Sequence, residues 1–251
     1  MSSLIAKLGE NFSFREGTID RSVFESVFRE DEYRIPQEFD PLDHVIDIGA
    51  HIGSFSAAAA VRGCRSIYAI EPNAENFAIS ASNLNSLIEC GVLELVRAAA
   101  WRSDHSNDTL KIGGYRKLNE VSNTGGGVVW TGFGDPIEAI SLDEIIMTAT
   151  KAGKKIRFLK LDCEGSEWPI LYTCTKLNLV EEIALEFHEI GEFGEFRTDL
   201  AEIFAKWDCT PNALCHFLES QGFQVEIVRR FDPAGHLLPL GLMFARRSSA
   251  D

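Results

Sequence analysis

Apolar positions along this chain fall into short runs alternating with helical stripes. Residues 44–48 (HVIDI) form an apolar run that ends at an Asp-x-Gly turn. A small-residue helix follows over 54–62, where Ala57, Ala58, Ala59 and Ala60 allow close approach to a sheet. Residues 66–70 read as a second strand closed by Glu71-Pro72. The next segment, 74–88, carries Phe77, Ala81, Leu84 and Ile88 on one stripe of helical period. A third strand covers 92–96. Strand, helix, strand, helix, strand with short turns predicts an α/β fold with a parallel, doubly wound sheet.

Beyond residue 100 the pattern loosens. Gly113, Gly114, Gly125, Gly126, Gly127, Gly132 and Gly134 predict hairpins and a mobile loop. Ser141-Leu-Asp-Glu144 is a capping box, opening a helix with Leu142, Ile145, Ile146 and Ala149. A fourth strand over 157–161 runs into Asp162-Cys-Glu164-Gly, and a helix over 167–174 follows with Pro169 in its first turn. A fifth strand spans 182–187, and Thr210-Pro211 opens a helix that stops at Ser220 before Gly222. Two last strands, 223–229 and 240–246, read as an antiparallel pair. Residues 1–40, up to a hinge at Pro36 and Pro41, read as an N-terminal lid or appendage, and 41–251 as a single domain.

Composition narrows the function classes. With 45% hydrophobic and 25% charged residues, the 251-residue chain is an ordinary globular sequence. Its size suffices to bury a large core without disulfides. A net charge of −14 repels phosphate backbones and anionic lipid, so neither nucleic acid nor a membrane is the expected partner. The opening MSSLIAKLGENFSF lacks the apolar core of a signal peptide. The longest apolar run, 55–61, falls far short of the roughly 20 residues of a membrane span. Six cysteines (Cys64, Cys90, Cys163, Cys174, Cys209, Cys215) form no CxxC pair, so reduced, mostly buried thiols and a cytoplasmic location are expected.

Chemistry concentrates first at Asp47-Ile-Gly49-Ala-His-Ile-Gly53, between a strand and a helix. Gly49 permits a sharp turn close to a ligand, and Gly53 lets the helix pack on the strand. The glycine that makes room for a pyrophosphate in G-x-G-x-x-G is missing. Asp47 at that turn suits a ligand bearing an ammonium group, such as the methionyl end of S-adenosylmethionine. Glu71 ends the next strand, 22 residues after Gly49, where an acid can accept from both ribose hydroxyls. Together these predict an adenosyl-ligand site; the plainer alternative is that Asp47 caps the helix and Glu71 merely ends a strand. A second cluster, Lys160-Leu-Asp162-Cys-Glu164-Gly-Ser-Glu167, ends the fourth strand, and Glu186-Phe-His188-Glu189 ends the fifth. Both fall on the carboxyl rim where open parallel sheets bind ligands. In the plainer reading Glu164 or Glu167 caps the following helix, Lys160 pairs with a neighbouring acid, and His188 satisfies a backbone carbonyl.

VIDIGAHIGSFS, YAIEPNAENF, ISLDEII, FLKLDCEGSEWPIL and ALEFH, in that order over residues 44–190, resemble the FkbM-type S-adenosylmethionine-dependent methyltransferases. The resemblance implies a class I methyltransferase (Rossmann-like) fold: a seven-stranded, mostly parallel sheet in order 3-2-1-4-5-7-6, strand 7 antiparallel, with helices on both faces. It implies S-adenosylmethionine as cofactor, S-adenosylhomocysteine as product, and O-methylation of a natural product or sugar-like small molecule. By position it assigns Asp47, Gly49, Ala50, His51 and Gly53 to the first cofactor motif and Glu71 and Pro72 to the ribose. Ala100 and Trp101 would form the adenine wall. FREGTIDRSVF…DEYRIP is similar to the lid of some members. His51 stands where the family often carries Asn.

Methyl transfer to a hydroxyl requires removal of its proton as the bond forms. His188 and Asp162, which also borders the cofactor, are the candidate bases, with Glu164 orienting. Asp162, Glu164 and His188 would also converge on a divalent ion. No H-x-x-x-H or D-x-D spacing favours that, and no metal is assigned. Tyr33 or Trp130 would pack against the sulfonium. Residues 1–40, the loop 113–134 and the segment 190–212 would select the acceptor, Gly125–Gly127 forming a flap over it. The first 40 residues would serve equally as a homodimer interface. Alternatives are N-methylation of a small molecule or peptide side chain, and a non-catalytic adenosyl-binding protein.

Overall fold

Residues 8, 12–104, 110–113, 116–118, 121–130, 134–150, 155–190 and 201–247 are described by the computed structural model. An N-terminal helix α1 (Asp20–Phe24) continues as a π-helical turn, Glu25–Arg29. β1 (His44–Ile48) buries Val45 through Ile48, as a strand covered on both faces does. Helix α2 (Ser54–Val61) follows, then β2 (Ile67–Ile70), buried throughout.

The helix expected over 74–88 is two helices, α3 (Ala74–Asn83) and α4 (Asn85–Glu89), broken at Leu84. Ser and Asn end α3 weakly, and the Asn83 amide leaves the helix face to donate to the Ile52 carbonyl at 3.1 Å. The break lets Leu84 and Leu87 both reach the core, while Ile88, expected on the buried stripe, is exposed. The buried positions of α3 are Asn76 and Ser80 rather than Phe77 and Ala81.

After β3 (Leu93–Val96) come seven short strands: β4 (Ala99–Trp101), β5 (Leu110–Gly113), β6 (Arg116–Leu118), β7 (Val121–Asn123), β8 (Val128–Trp130), β9 (Asp135–Ile137) and β10 (Ala139–Ser141). They pair as small ladders, β8-β5-β9, β6-β7 and β10-β4. The expected capping box is formed at Ser141 and Glu144 and opens α5 (Leu142–Ala149). β11 (Ile156–Leu161), α6 (Glu167–Thr173), β12 (Glu182–His188), α7 (Ala201–Phe204), α8 (Pro211–Ser220), β13 (Phe223–Phe231) and β14 (Leu237–Arg247) complete the chain.

The main sheet runs β13-β14-β12-β11-β1-β2-β3. Counted along the chain, its strands lie in the expected order 3-2-1-4-5-7-6, with β14 antiparallel to both β12 and β13. One face is covered by α5, α6 and α8, the other by α2, α3 and α4. Helix α2 is buried on all sides from Ser54 to Ala60, which a two-layer arrangement would not achieve. Its outer side is covered by Phe24, Val27, Tyr33, Ile35 and Phe39, so this part of the N-terminal segment joins the core cluster of that face. Of the cysteines, Cys64, Cys174 and Cys209 are buried, Cys163 and Cys215 half-buried and Cys90 exposed; all six are free thiols. Among the described residues no helix is long and apolar enough to cross a membrane.

Candidate functional site

The chain leaving β1 turns through three left-handed residues, Gly49 (φ 79°), His51 (φ 51°) and Gly53 (φ 94°). At Gly49 any side chain would strike the Asp162 carbonyl, and at Gly53 it would press on Leu84 and Ser80. Histidine, like Asn, tolerates the left-handed region better than most residues, which explains His51 in this loop. Its amide donates to Glu71 Oε2 at 2.8 Å, and the Asn73 amide donates to Oε1 at 2.9 Å. Glu71 is buried, and burial pushes its pKa up to about 7 despite those two bonds. Its remaining lone pairs face a cleft of about 290 Å³ lined also by Gly49, Pro72, Ala100, Asp162 and His188. That volume lies near the lower end of the roughly 300–1,000 Å³ of small-ligand sites.

Asp47 does not reach this cleft. The parallel register of β1 and β11 sets it beside Lys160, whose Nζ lies 3.5 Å from Oδ1, and Ser56 donates to Oδ2 at 2.7 Å. Lys160 also donates to the Gly49 carbonyl at 2.6 Å and lies 4.0 Å from Asp162 Oδ2. Burial opposes its charge, but Asp47 and Asp162 outweigh it and hold the ammonium pKa above its ordinary value. Lys160 therefore pairs with an acid and clamps the turn from beneath.

At the carboxyl ends of β11 and β12 the acids gather. Asp162 Oδ2 accepts the Tyr33 hydroxyl at 3.0 Å. Glu164 is left-handed (φ 53°), a strained conformation that turns the chain back toward His188. His188 lies between two carboxylates, with Nε2 3.5 Å from Glu164 Oε2 and Nδ1 3.4 Å from Glu167 Oε1. Burial disfavours its charge, yet Glu167, Glu164 and Glu186 carry its pKa up to about 10. Glu167 is wholly buried and accepts the Cys163 amide at 2.7 Å, the reach-back of a helix-start acid. Glu186 is pushed up to about 8 by burial and then by Asp162, although Arg230 donates to it at 2.6 Å. Arg230 is shared with Glu32 of the N-terminal segment.

That segment closes the other side. Arg15 grips buried Asp20 through Nε and Nη2, both at 2.8 Å, and also donates to Asn76. Thr124 donates to Asp20 at 2.7 Å, and His51 Nε2 lies 2.9 Å from the Thr124 hydroxyl. Burial alone would raise the Asp20 pKa; the Arg15 and Thr124 bonds win and hold it at about 2. Burial pushes the His51 imidazole down to about 4. Gly125 and Gly127 line the same cleft as Asp162, Glu164 and His188. Asn76 donates to the Thr124 carbonyl at 2.8 Å, which ties this stretch to the Glu71 side.

Gly49, His51, Glu71, Pro72, Ala100, Asp162, Glu164 and His188 thus share one cleft. Ala50 lines an adjoining pocket of about 150 Å³ with Tyr33, Asp162, Glu186 and Arg230. Asp47, Gly53 and Trp101 support the walls from within the fold. Tyr33 is engaged with Asp162, and the Trp130 side chain and residues 191–200 lie outside the described residues. Asn73, Asn76 and Asp20 join the site without a local motif, and Glu186, part of the rim motif at the end of the fifth strand, stands out as a further rim acid. Glu186 was legible, since it shares the strand face of Glu182 and His188 at period two.

A family model, the methyltransferase FkbM domain, matches residues 47–225. No curated protein sequence matches the chain. Among solved structures, precorrin-6y C5,15-methyltransferase from Geobacter metallireducens shares 16% identity over 95% of each chain, with a TM-score of 0.42. TrmK of M. capricolum in complex with S-adenosyl-homocysteine shares 10% identity over 83% of this chain and 66% of its own, with a TM-score of 0.43.

Proposed function

The chain belongs to the FkbM family of S-adenosylmethionine-dependent methyltransferases, and from that premise we propose that it methylates a hydroxyl of a small molecule. The residues present fit the cofactor. Gly49 lets the turn after β1 lie directly against the Asp162 carbonyl beside the cleft, and Glu71 offers a buried carboxylate already aimed by two backbone amides. Gly49, His51, Glu71, Pro72 and Ala100 would hold the adenosyl half, with Ala50, Gly53 and Trp101 shaping the wall. Asp47 acts on that half through Lys160 and the turn. S-adenosylmethionine, when bound, supplies a methyl group already activated on a sulfonium.

The protein's own work is then to orient the acceptor, exclude water and accept a proton. The observation that carries the hydroxyl reading is the gathering of Asp162, Glu164, Glu186 and His188 at one rim of the cleft. A hydroxyl must lose its proton during transfer, and three carboxylates stand where one can take it. Asp162 lines both the cleft and the adjoining pocket, so it can face cofactor and acceptor together. His188, held protonated by its two glutamates, serves as a donor to the acceptor oxygen.

A second reading, transfer to nitrogen, is favoured by the same acids, which would also attract an ammonium-bearing acceptor. Incubation with deuteromethyl-labelled S-adenosylmethionine and a panel of small hydroxyl and amine compounds, read by mass spectrometry, separates the two. Label on oxygen supports the proposal, and label on amines alone contradicts it.

A further inference from the structure

We propose that Asp162, Glu164 and His188 bind a divalent first-row cation at the acceptor end of the cleft. The inference rests on the reading of this cleft as the methyltransferase site. One ligand atom from each of the three residues falls within 4.8 Å of the others. Bonds of about 2.0–2.2 Å to one ion place neighbouring donor atoms roughly 3–4 Å apart. The 3.5 Å between His188 Nε2 and Glu164 Oε2 already has that spacing.

The imidazole is also held as a ligand is held. Its far nitrogen, Nδ1, faces Glu167 Oε1 at 3.4 Å, and a carboxylate on the second nitrogen is the usual support of a metal-binding histidine. Glu167 is itself fixed by the Cys163 amide, and the Trp168 indole donates to the His188 carbonyl at 2.7 Å. Tyr33 sets the orientation of the Asp162 carboxylate. The strained turn at Glu164 brings the third ligand across.

Charge at the rim favours a dication. Asp162, Glu164, Glu167 and Glu186 face Lys160, Arg230 and the His188 imidazole, whose proton a dication would replace. Lys160 is already engaged with Asp47, and Arg230 with Glu32 and Glu186. One imidazole with two carboxylates suits a first-row ion such as Mn²⁺ or Zn²⁺ better than Ca²⁺, which takes about six to eight oxygen ligands. Three protein ligands leave positions for the acceptor oxygen, whose proton becomes easier to remove on the ion. Binding of the ion releases the Nε2 proton of His188 to solvent; Asp162 and Glu164 then act as ligands beside the neutral imidazole, and Glu186 is the remaining carboxylate at the rim.

Titration of the full chain with Mn²⁺, followed by electron paramagnetic resonance, tests this without an acceptor. One site per chain is expected, weakened at least tenfold in Glu164→Gln and His188→Gln and roughly tenfold in Glu167→Gln. The exposed pair His236–Asp232 supplies the control, and His236→Gln is expected to bind like the wild type. If His188→Gln does not fold, Glu164→Gln and Glu167→Gln carry the same comparison. Absence of a stoichiometric site, or equal affinity in Glu164→Gln, overturns the proposal. S-adenosylhomocysteine added to the same samples separates the two levels. If it binds where Mn²⁺ does not, only the cation falls; if neither binds, the active-site reading falls as well.

Discussion

The Tyr33 hydroxyl donates to Asp162 Oδ2 at 3.0 Å, joining residues 129 positions apart. The N-terminal segment and the end of β11 therefore share one carboxylate in the middle of the site. Tyr33→Phe keeps the ring against Phe55 and removes only this bond. Loss of a hydrogen bond to a charged group costs about 1.5–3 kcal/mol, so a lowered urea midpoint is expected. Turnover is expected to fall while affinity for S-adenosylhomocysteine stays near that of the wild type. A variant equal to the wild type in both stability and turnover would show that the contact orients nothing.

Gly49 is the position least able to accept a side chain. Its φ is positive and a Cβ would run into the Asp162 carbonyl. Gly49→Ala is expected to abolish adenosyl-ligand binding and to destabilise by about 2 kcal/mol or more. Gly91→Ala, where φ is also positive but nothing lies within 4 Å, isolates backbone strain and should cost only about 1–2 kcal/mol. Chemical denaturation of both variants makes the comparison, and equal losses would remove the steric argument.

Asp20 ties the N-terminal segment to the cleft through Arg15 and Thr124. Its folded pKa, about 2, lies below the ordinary 3.8. Stability from the ionised form is thus complete above pH 4 and is lost as pH falls toward 2. It amounts to about 2 kcal/mol. Asp20→Asn is expected to unfold with a flatter pH dependence across that window, and a slope equal to that of the wild type would contradict the assignment.

Glu71 has the opposite sign. Its folded pKa, about 7, is raised above the ordinary 4.5, so the folded state binds its proton more tightly than the unfolded chain. Its contribution is complete below pH 4.5 and declines as pH rises to about 7. Glu71→Gln is expected to lack that decline in melting experiments between pH 5 and 8. The absolute offset is smaller, since one amide of His51 or Asn73 loses its acceptor. A decline of unchanged size would place the titration elsewhere.

The parallel strands were readable because each is a short apolar run, and the turns after β1, β2 and β11 carry Gly, Pro or an acid; the strand order followed only from the family resemblance. Gly49 and Glu71 were readable for the same reason: both lie within a residue or two of a strand end. The orientation of Asp47 was not, because its burial depends on register with Lys160, 113 residues away. The contact of Asp20 with Thr124 spans 104 residues between two segments of weak pattern, and nothing local in either announces it. The break at Leu84 follows from Asn83 reaching the Ile52 carbonyl, a tertiary bond that overrides helical periodicity. Glu186 is visible in the alternation of EIALEFH and in the rim motif, but its burial beside Asp162 and Arg230, which gives it a role, depends on contacts between strands.

The central claim, that the cleft between Gly49, Glu71 and Asp162 holds the adenosyl cofactor, is met most directly by calorimetry. S-adenosylhomocysteine is titrated into the wild type and into Glu71→Gln, with NAD as the competing ligand. One site per chain is expected in the wild type, at least tenfold weaker binding in the variant, and no heat from NAD. Binding of NAD alone, or equal affinity for S-adenosylhomocysteine in both proteins, would contradict the claim.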